Sequence, residues 1–310
     1  MTEIMTVRGP VPPGELGLTH SHEHVLWDYW DLLPSYDHIL DDEAVAAAEL
    51  ARFRAAGGGA MVDCSTVGIR TDAAALRRVS ERSDVHIVLG TGWYRERVYP
   101  REVFTRTVPE LAATLVRELT EGIDGSGVRA GLIGEIGTER GHITPAEERV
   151  FRAAARAHRE TGVAVLTHTT HFGELALEQI ALLADAGVDP SRVVVSHLGD
   201  RPDPASLLRI AATGAYLSVD NIGYEGGGYP ADGVRADNVA RLVAAGYGQR
   251  VVLGTDIATK TALASFGGRG YDWLIRSFLP LLRERGVTEA EIEAMTVTNI
   301  ATVLTPGVSG

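Results

Sequence analysis

Two histidines at alternate positions, His22 and His24, follow a short apolar run in the first part of the chain. In an extended strand alternate side chains point to the same face, so that these two imidazoles would lie side by side. Paired imidazoles at the end of a strand are poor core residues but good ligands for a divalent metal ion. The pair therefore predicts one part of a metal site.

Four further candidate ligands occupy comparable places later in the chain. Each comes at the end of a short apolar run with the composition of a β-strand: Glu135, His168, His197 and Asp256. Six donors are too many for one tetrahedral Zn²⁺, but they suit two divalent ions about 3.5–4 Å apart that share a carboxylate. Such a pair would hold a bridging hydroxide at neutral pH and polarise a substrate oxygen, while the remaining carboxylate carried the proton. We expect Zn²⁺, with Mn²⁺, Co²⁺ or Fe²⁺ as alternatives.

The elements that must position these donors are eight short apolar runs that alternate with helical patterns. The predicted strands cover residues 16–22, 60–65, 85–90, 128–135, 163–168, 192–197, 215–219 and 250–256. The clearest helical patterns cover residues 42–56, 109–121, 145–161, 173–186 and 271–285, and a short helical tail is expected over residues 288–304. This alternation predicts one α/β fold, a parallel (β/α)₈ TIM barrel, as a single domain over residues 1–310.

The main alternative to the barrel is a doubly wound open sheet. The candidate ligands distinguish the two folds because they follow five different predicted strands. In a closed barrel the carboxyl ends of all strands surround one mouth, whereas an open sheet would concentrate polar residues at one switch point. We therefore expect the barrel, with the metal site at its mouth.

The composition of the chain limits the partners that it can have. The 310 residues carry a formal net charge of −12, which argues against nucleic acid or an anionic membrane as a partner. No apolar run is long enough to span a bilayer, and residues 1–13 lack the pattern of a secretory signal. Cys64 is the only cysteine, so that a disulfide within the chain is impossible. We expect a cytoplasmic protein that acts on a small molecule.

A set of motifs along nearly the whole chain adds a family resemblance. These motifs are Gly17-Leu18-Thr19, Gly90-Thr91-Gly92-Trp93-Tyr94, Gly131-Leu132-Ile133-Gly134-Glu135, Ser196-His197-Leu198-Gly199-Asp200 and Gly267-Gly268-Arg269-Gly270-Tyr271-Asp272. Together they resemble the phosphotriesterase-like branch of the amidohydrolase superfamily. The resemblance implies a metal-dependent hydrolase on a TIM barrel, and it makes a homodimer a further expectation.

The resemblance also implies a role for each of the six donors. The more buried metal would be held by the first pair of histidines together with Asp256. The more exposed metal would be held by His168 and His197, and Glu135 would bridge the two. Asp256 would in addition relay the proton.

One position departs from the pattern of the best-known members. Several of them, the phosphotriesterases proper included, have a carboxylated lysine where this chain has Glu135, and its only lysine, Lys260, lies elsewhere. The chain therefore resembles the Glu-bridged subgroup, the phosphotriesterase-related proteins, which are not generally efficient phosphotriesterases. This favours a lactone or another carboxyl ester as substrate, then an N-acyl amide, then a phosphoester.

Several residues near the predicted mouth are candidates for contact with the substrate. In the lactonases that this chain resembles, the tyrosine at the position of Tyr94 bonds the substrate carbonyl or the metal-bound water, so that we treat Tyr94 as catalytic; simple packing over the mouth is the alternative. The other candidates are Trp27, Trp93, His171, Asn221 and Arg269. A solvated loop position is the alternative for His171, and an ion pair with a neighbouring acid is the alternative for Arg269. His20 and His38 are expected to be structural.

Two rival functions stay open at this point. A deaminase of the same superfamily would use one metal ion and would not need Glu135 as a bridge. A non-catalytic binding protein would retain the barrel without the chemistry, although the complete set of six donors argues against it.

Overall fold

The computed structural model describes residues 3–170 and 174–307. Parallel strands form one large sheet, and these strands are β1 (Leu18–Glu23), β2 (Gly58–Asp63), β3 (His86–Thr91), β4 (Leu132–Gly137), β5 (Val165–His168), β6 (Val193–Val195), β7 (Tyr216–Val219) and β8 (Val251–Leu253). They follow one another across the sheet in chain order. A doubly wound sheet would reverse this order at a switch point, so that the open-sheet alternative is excluded.

The barrel closes where the end of β8 meets β1. The backbone amide of Asp256 donates to the carbonyl oxygen of His22 at 3.2 Å. A Cβ atom on Gly254 would lie 2.8 Å from the same carbonyl oxygen, so that the missing side chain of glycine allows this close approach. The predicted TIM barrel is therefore confirmed, and the carboxyl ends of its strands surround one mouth.

Helices alternate with the strands and surround the barrel. The α-helices are Glu43–Ala55, Ala73–Ser83, Arg101–Thr105, Val108–Thr120, Pro145–Thr161, Ala176–Asp185, Pro204–Ala211, Asp232–Ala244, Leu279–Glu284, Glu289–Glu293 and Asn299–Leu304. Two π-helical segments, Leu274–Phe278 and Ala294–Thr298, adjoin the last three of these helices. In the described ranges no helix combines the length and the apolar character that a membrane crossing requires.

Two apolar layers stabilise the barrel. Alternate strand residues, among them Val62 and Leu132, fill its interior together with Cys64. The other strand residues pack outward against the helices. Ile300 and Val303 join the interior cluster, so that the C-terminal helices cover one end of the barrel and the predicted tail beneath it is confirmed. The carboxyl ends of the strands are thereby left to carry polar residues.

The sequence did not predict two short antiparallel hairpins. Ile4–Thr6 pairs with Gly9–Val11, and Trp27–Asp28 pairs with Ile39–Leu40. Strands of two or three residues are too short for a periodic apolar pattern, so that no signal of this kind marks them. The second hairpin follows the first candidate ligands directly and brings its residues to the mouth.

Strand β4 begins at Leu132 rather than at residue 128, where the apolar pattern begins. Two of the residues before it, Val128 and Ala130, bond to the preceding helix and loop instead. The backbone amide of Ala130 donates to the carbonyl oxygen of Glu118 at 3.0 Å, and the carbonyl oxygen of Val128 accepts from Ile123 at 2.8 Å. Apolar composition alone does not distinguish these loop contacts from a strand.

Gly90 in β3 is a position where the barrel leaves no room for a side chain. A Cβ atom there would lie 1.7 Å from the carbonyl oxygen of Gly134 in β4. We expect Gly90→Ala to lower the free energy of unfolding by about 3 kcal/mol, because the backbone of two packed strands must move.

Gly14→Ala is the matched control, because nothing lies within 4 Å of the Cβ atom that it adds. Its effect should stay within about 0.5 kcal/mol. Denaturant unfolding curves measure both variants, and equal stabilities of the two would contradict the proposed packing of β3 against β4.

Candidate metal centre

The structure brings all six candidate ligands together at the mouth of the barrel. They lie at or close to the carboxyl ends of β1, β4, β5, β6 and β8: His22, His24, Glu135, His168, His197 and Asp256. Three groups of three among them offer ligand atoms that all lie within 4.8 Å of one another. Because these groups share members, side chains from both ends of the chain form one continuous cluster.

Glu135 lies in the middle of the cluster and is buried. Its Oε1 is 3.4 Å from Nε2 of His24, and its Oε2 is 3.5 Å from Nε2 of His22. Oε2 is also 2.9 Å from Nδ1 of His168. The carboxylate therefore lies between the β1 pair, as we call His22 and His24 at the carboxyl end of β1, and the histidine of β5. This is the arrangement that a ligand shared by two ions requires.

Asp256 and His197 complete the two halves of the cluster. Oδ1 of Asp256 is 3.3 Å from Nε2 of His24 and 3.6 Å from Nε2 of His22. Nε2 of His197 is 2.9 Å from Nδ1 of His168. One half thus consists of the β1 pair with Asp256, the other of His168 with His197, and Glu135 touches both.

The charges of the cluster fit divalent cations. In the described chain, Glu135, Asp256 and the neighbouring Asp220 form ion pairs with histidines alone. Buried carboxylates need compensating positive charge. Burial opposes the charged form of His22, but electrostatic attraction from neighbouring groups, Glu135 among them, raises its pKa well above the ordinary value, so that a metal-free cluster relies on buried imidazolium for this charge. Nε2 of His22 is moreover buried without a hydrogen-bond partner, although it faces two carboxylates. The donor set therefore has the composition of a metal site, in which divalent cations would supply the charge that buried imidazolium otherwise provides.

Burial influences the protonation of two of the donors. It lowers the pKa of His168 to about 4, although the nearby Glu135 carboxylate opposes the shift. Burial by itself would raise the pKa of Glu135, but electrostatic attraction and hydrogen bonds from His22 and His168 hold this pKa well below its ordinary value. At neutral pH, His168 is therefore a neutral imidazole and Glu135 a carboxylate, which are the forms that bind a metal ion.

A second set of side chains orients the imidazoles from behind. Nδ1 of His22 lies 2.9 Å from the hydroxyl of Ser196, and Nδ1 of His197 lies 3.0 Å from a carboxylate oxygen of Asp220. Such partners fix the ring so that Nε2 faces the cluster. These residues were not predicted from the sequence. Asp220 nevertheless follows the predicted strand 215–219 directly, and that signal would have identified it.

Two of the donors have backbone conformations that residues other than glycine rarely adopt. The φ angle is +62° at His197 and +46° at Asp256. Each such left-handed residue costs about 1–3 kcal/mol and persists only where its surroundings hold it in place. Strain of this kind concentrates at functional sites, so that it supports a functional role for this cluster.

A cavity of about 300 Å³ opens onto the cluster and is continuous with solvent. The predicted contact residues Trp27, Tyr94 and Asn221 line it. The ring of Trp27 stacks on His24 with centroids 4.4 Å apart, and the Tyr94 hydroxyl lies 3.4 Å from Nε2 of His168. Lining residues outside the predicted set of contacts are Tyr29, His38, Thr169, Tyr224, Tyr229, Ala258 and Thr259. His38 lies between the two strands of the unpredicted hairpin. Most of the others lie in the segments that follow β5, β7 and β8.

The remaining predicted contact residues lie elsewhere or outside the described chain. Trp93 is buried away from this cavity, where its indole N–H donates to Glu102 at 3.1 Å beside a separate cavity. The guanidinium of Arg269 stacks on the ring of Tyr224 at 3.8 Å and is not part of the lining. His171 falls outside the residues that the structure describes.

Comparison with known proteins agrees with this geometry. Residues 2–304 match the model of the phosphotriesterase family. The structure of the phosphotriesterase homology protein from Escherichia coli, complexed with phosphate in its active site, has a TM-score of 0.90 at 36% identity over 94% of this chain and 99% of that chain. A lactonase from Listeria monocytogenes has a TM-score of 0.92 at 27% identity over 99% of this chain and 100% of its own. The N-acetyltaurine hydrolase of Homo sapiens is 33% identical over 96% of both chains.

The family match includes all six clustered donors, since it runs from residue 2 to residue 304. The alignment with this chain covers almost the whole length of these similar hydrolases, so that the similarity is not confined to the barrel scaffold. The chain therefore belongs to the phosphotriesterase family and is a hydrolase.

Proposed function

We propose that this chain is a binuclear metal-dependent hydrolase that cleaves a lactone or another carboxyl ester. The observation that carries the proposal is the convergence of six donors on one mouth, with ligand atoms within 4.8 Å in three overlapping groups. A purely structural role would leave these buried carboxylates to be balanced by imidazolium groups that are themselves buried, and burying charged groups is unfavourable. A pair of cations removes this difficulty.

The two halves of the cluster would hold one ion each. The first half is the His-x-His pair of β1 with Asp256, and the second is His168 with His197, while Glu135 would be shared. When bound, the ions would lower the pKa of water and polarise the carbonyl group of the substrate. We propose Zn²⁺, because imidazole and carboxylate groups are its usual nitrogen and oxygen ligands.

Two side chains at the cavity would act on the reacting groups directly. The Asp256 carboxylate borders the cavity, and we infer that it accepts a proton from the attacking water and delivers it to the leaving group. Burial raises the pKa of the Tyr94 hydroxyl well above its ordinary value, so that it keeps its proton. Tyr94 would therefore donate a hydrogen bond to the carbonyl oxygen as negative charge develops there.

The cavity lining favours a neutral substrate. Its described lining residues include no lysine or arginine, and aromatic rings form a large part of the wall. Nearby arginines have other partners: Arg95 donates to the Tyr29 hydroxyl at 3.0 Å, and Arg269 stacks on Tyr224. An uncharged lactone or ester would contact the rings, whereas a free anionic group on the substrate would find no such cation in this lining.

An N-acyl amide is the second candidate substrate. It is supported by the N-acetyltaurine hydrolase that is 33% identical over 96% of this chain, and amide hydrolysis begins with the same attack on a carbonyl carbon. A phosphoester is a third candidate, because the similar Escherichia coli protein holds phosphate in its active site. Glu135 in place of a carboxylated lysine weighs against it.

A hydrolysis screen of the Zn²⁺-reconstituted protein tests the substrate class. The panel contains five- and six-membered lactones, aryl esters, N-acyl amides and phosphotriesters. We expect kcat/KM for a lactone or ester to exceed that of the other classes at least about tenfold, which corresponds to about 1.4 kcal/mol of transition-state stabilisation. Highest turnover of an amide would establish the second candidate instead. No turnover of any class by protein that holds two ions would contradict the proposed hydrolase site.

His168→Ala tests the assignment of the metal ligands. We expect this variant to bind one ion per chain instead of two and to lose more than about 100-fold in kcat/KM, because loss of a direct ligand exceeds the effect of losing an outer partner. Its melting temperature without metal should change little, since the residue lies on the functional rim. Elemental analysis and circular dichroism measure the two quantities.

His142→Ala is the control for this variant, because His142 is an exposed histidine away from the cluster. It should retain both ions and full activity. Retention of two ions by the His168→Ala protein, or unfolding of that protein, would show that His168 is structural.

Asp256→Asn tests the proton transfer. We expect kcat to fall by about 10²–10⁴-fold, the range of general acid–base catalysis, with a much smaller change in KM. Asp41→Asn removes an exposed carboxylate whose partner is Lys260, and it should leave kcat unchanged. Steady-state kinetics on the best substrate of the screen measure both variants, and an unchanged kcat for Asp256→Asn would refute the role.

A further inference from the structure

Glu23 lies between His22 and His24 in the sequence but is not one of the clustered donors. It is completely buried, and its carboxylate accepts four hydrogen bonds. Oε1 accepts from Nδ1 of His20 at 2.6 Å, from the backbone amide of Thr255 at 2.6 Å and from the Thr255 hydroxyl at 2.7 Å. Oε2 accepts from the backbone amide of Ile257 at 3.0 Å. Three of these four bonds thus reach the segment that follows β8.

The two amides that Glu23 binds belong to the residues on either side of Asp256. Asp256 itself has a left-handed backbone with φ of +46°, and its own amide donates to the carbonyl oxygen of His22. Three successive amides are therefore fixed by two neighbouring residues of β1. These bonds oppose the cost of the left-handed conformation of Asp256, which is unfavourable by itself, and the Tyr224 hydroxyl adds one further bond to the carbonyl oxygen of Asp256 at 2.9 Å.

The position requires a carboxylate rather than any polar side chain. An ionised glutamate is an acceptor only, and here all four of its partners can act as donors. A glutamine would turn its NH₂ group against at least one of those N–H or O–H groups and leave it unpaired in the interior. The loss of a charge-assisted bond from a backbone amide adds to this effect.

We propose that Glu23 is a positioning residue that holds Asp256 in the geometry in which it shares a metal ion with His22 and His24. This inference rests on the proposed function, because it assumes that Asp256 is a metal ligand. Glu23 is neither one of the clustered donors nor part of the cavity lining, so that its effect would pass through the backbone on either side of Asp256. Its replacement should therefore weaken metal binding even where the fold is retained.

Glu49 provides a matched control in the same part of the barrel. It is buried, and its carboxylate accepts from the backbone amides of Ala264 and Ser265 at 3.0 and 2.7 Å and from the Ser265 hydroxyl at 2.6 Å. It thus fixes a later part of the segment after β8 with the same chemistry. The Glu49→Gln variant reproduces the chemical change without disturbing the residues beside Asp256.

The experiment compares three full-length proteins: the wild type, Glu23→Gln and Glu49→Gln. The affinity of each for Zn²⁺ is measured by competition with a chromophoric chelator, and the melting temperature of each is measured without metal. We expect Glu23→Gln to weaken one of two binding steps by about 10–100-fold, the range for outer partners of metal ligands. Glu49→Gln should stay within about twofold of the wild type, even if its melting temperature falls equally. Equal affinities of the two variants would overturn the inference.

A second pair of variants decides the question if Glu23→Gln does not fold. Thr255→Val removes the hydroxyl bond to Glu23 at nearly constant volume, whereas Thr255→Ser keeps it. Weaker binding in the valine variant alone would support the inference, and identical binding in both would overturn it. A wild-type protein that binds no Zn²⁺ would instead contradict the proposed function itself, so that the two failures are distinguishable.

Discussion

The structure of the barrel mouth depends on one electrostatic constraint: several carboxylates are buried against a ring of imidazoles. Glu135 and Asp220 are almost completely withdrawn from water, and the Asp256 side chain is only 16% exposed. Removing a carboxylate from water is unfavourable by several kcal/mol unless it is paired. Here the available partners are histidines, at least one of which is neutral at physiological pH. Bound cations would supply positive charge in place of buried imidazolium groups, so that the same burial that makes these pairs unfavourable would favour metal binding.

The barrel supports this arrangement in two ways. Its interior is filled by small and branched apolar side chains and its lower end is covered by the C-terminal helices, so that stability does not rely on the polar rim. At the rim, a second layer of polar groups fixes the first. Asp220 and Ser196 orient imidazoles, and Glu23 holds the backbone on either side of Asp256. Because the core provides the stability, the fold does not require particular residues at the rim, and these positions can carry functional groups.

The barrel and its six clustered donors were predictable from the sequence, because each donor follows an apolar run of strand length and a closed barrel brings all such ends together. The supporting layer was harder to predict. Glu23 was not singled out in the sequence, because its partners lie at the other end of the chain. The place of His38 in the cavity depends on a hairpin with two-residue strands, and Trp93 turns outward toward Glu102. These side-chain positions depend on contacts between residues that are far apart in the chain, and local sequence patterns carry no information about such contacts.

Anomalous X-ray diffraction from crystals grown with Zn²⁺ and recorded on both sides of the zinc absorption edge tests the central claim most directly. The account predicts two peaks per chain about 3.5–4 Å apart, with Glu135 between them. One peak should be surrounded by the β1 histidine pair and Asp256, and the other by His168 and His197. A map without peaks among these side chains, or with a single peak that Glu135 does not contact, would contradict it.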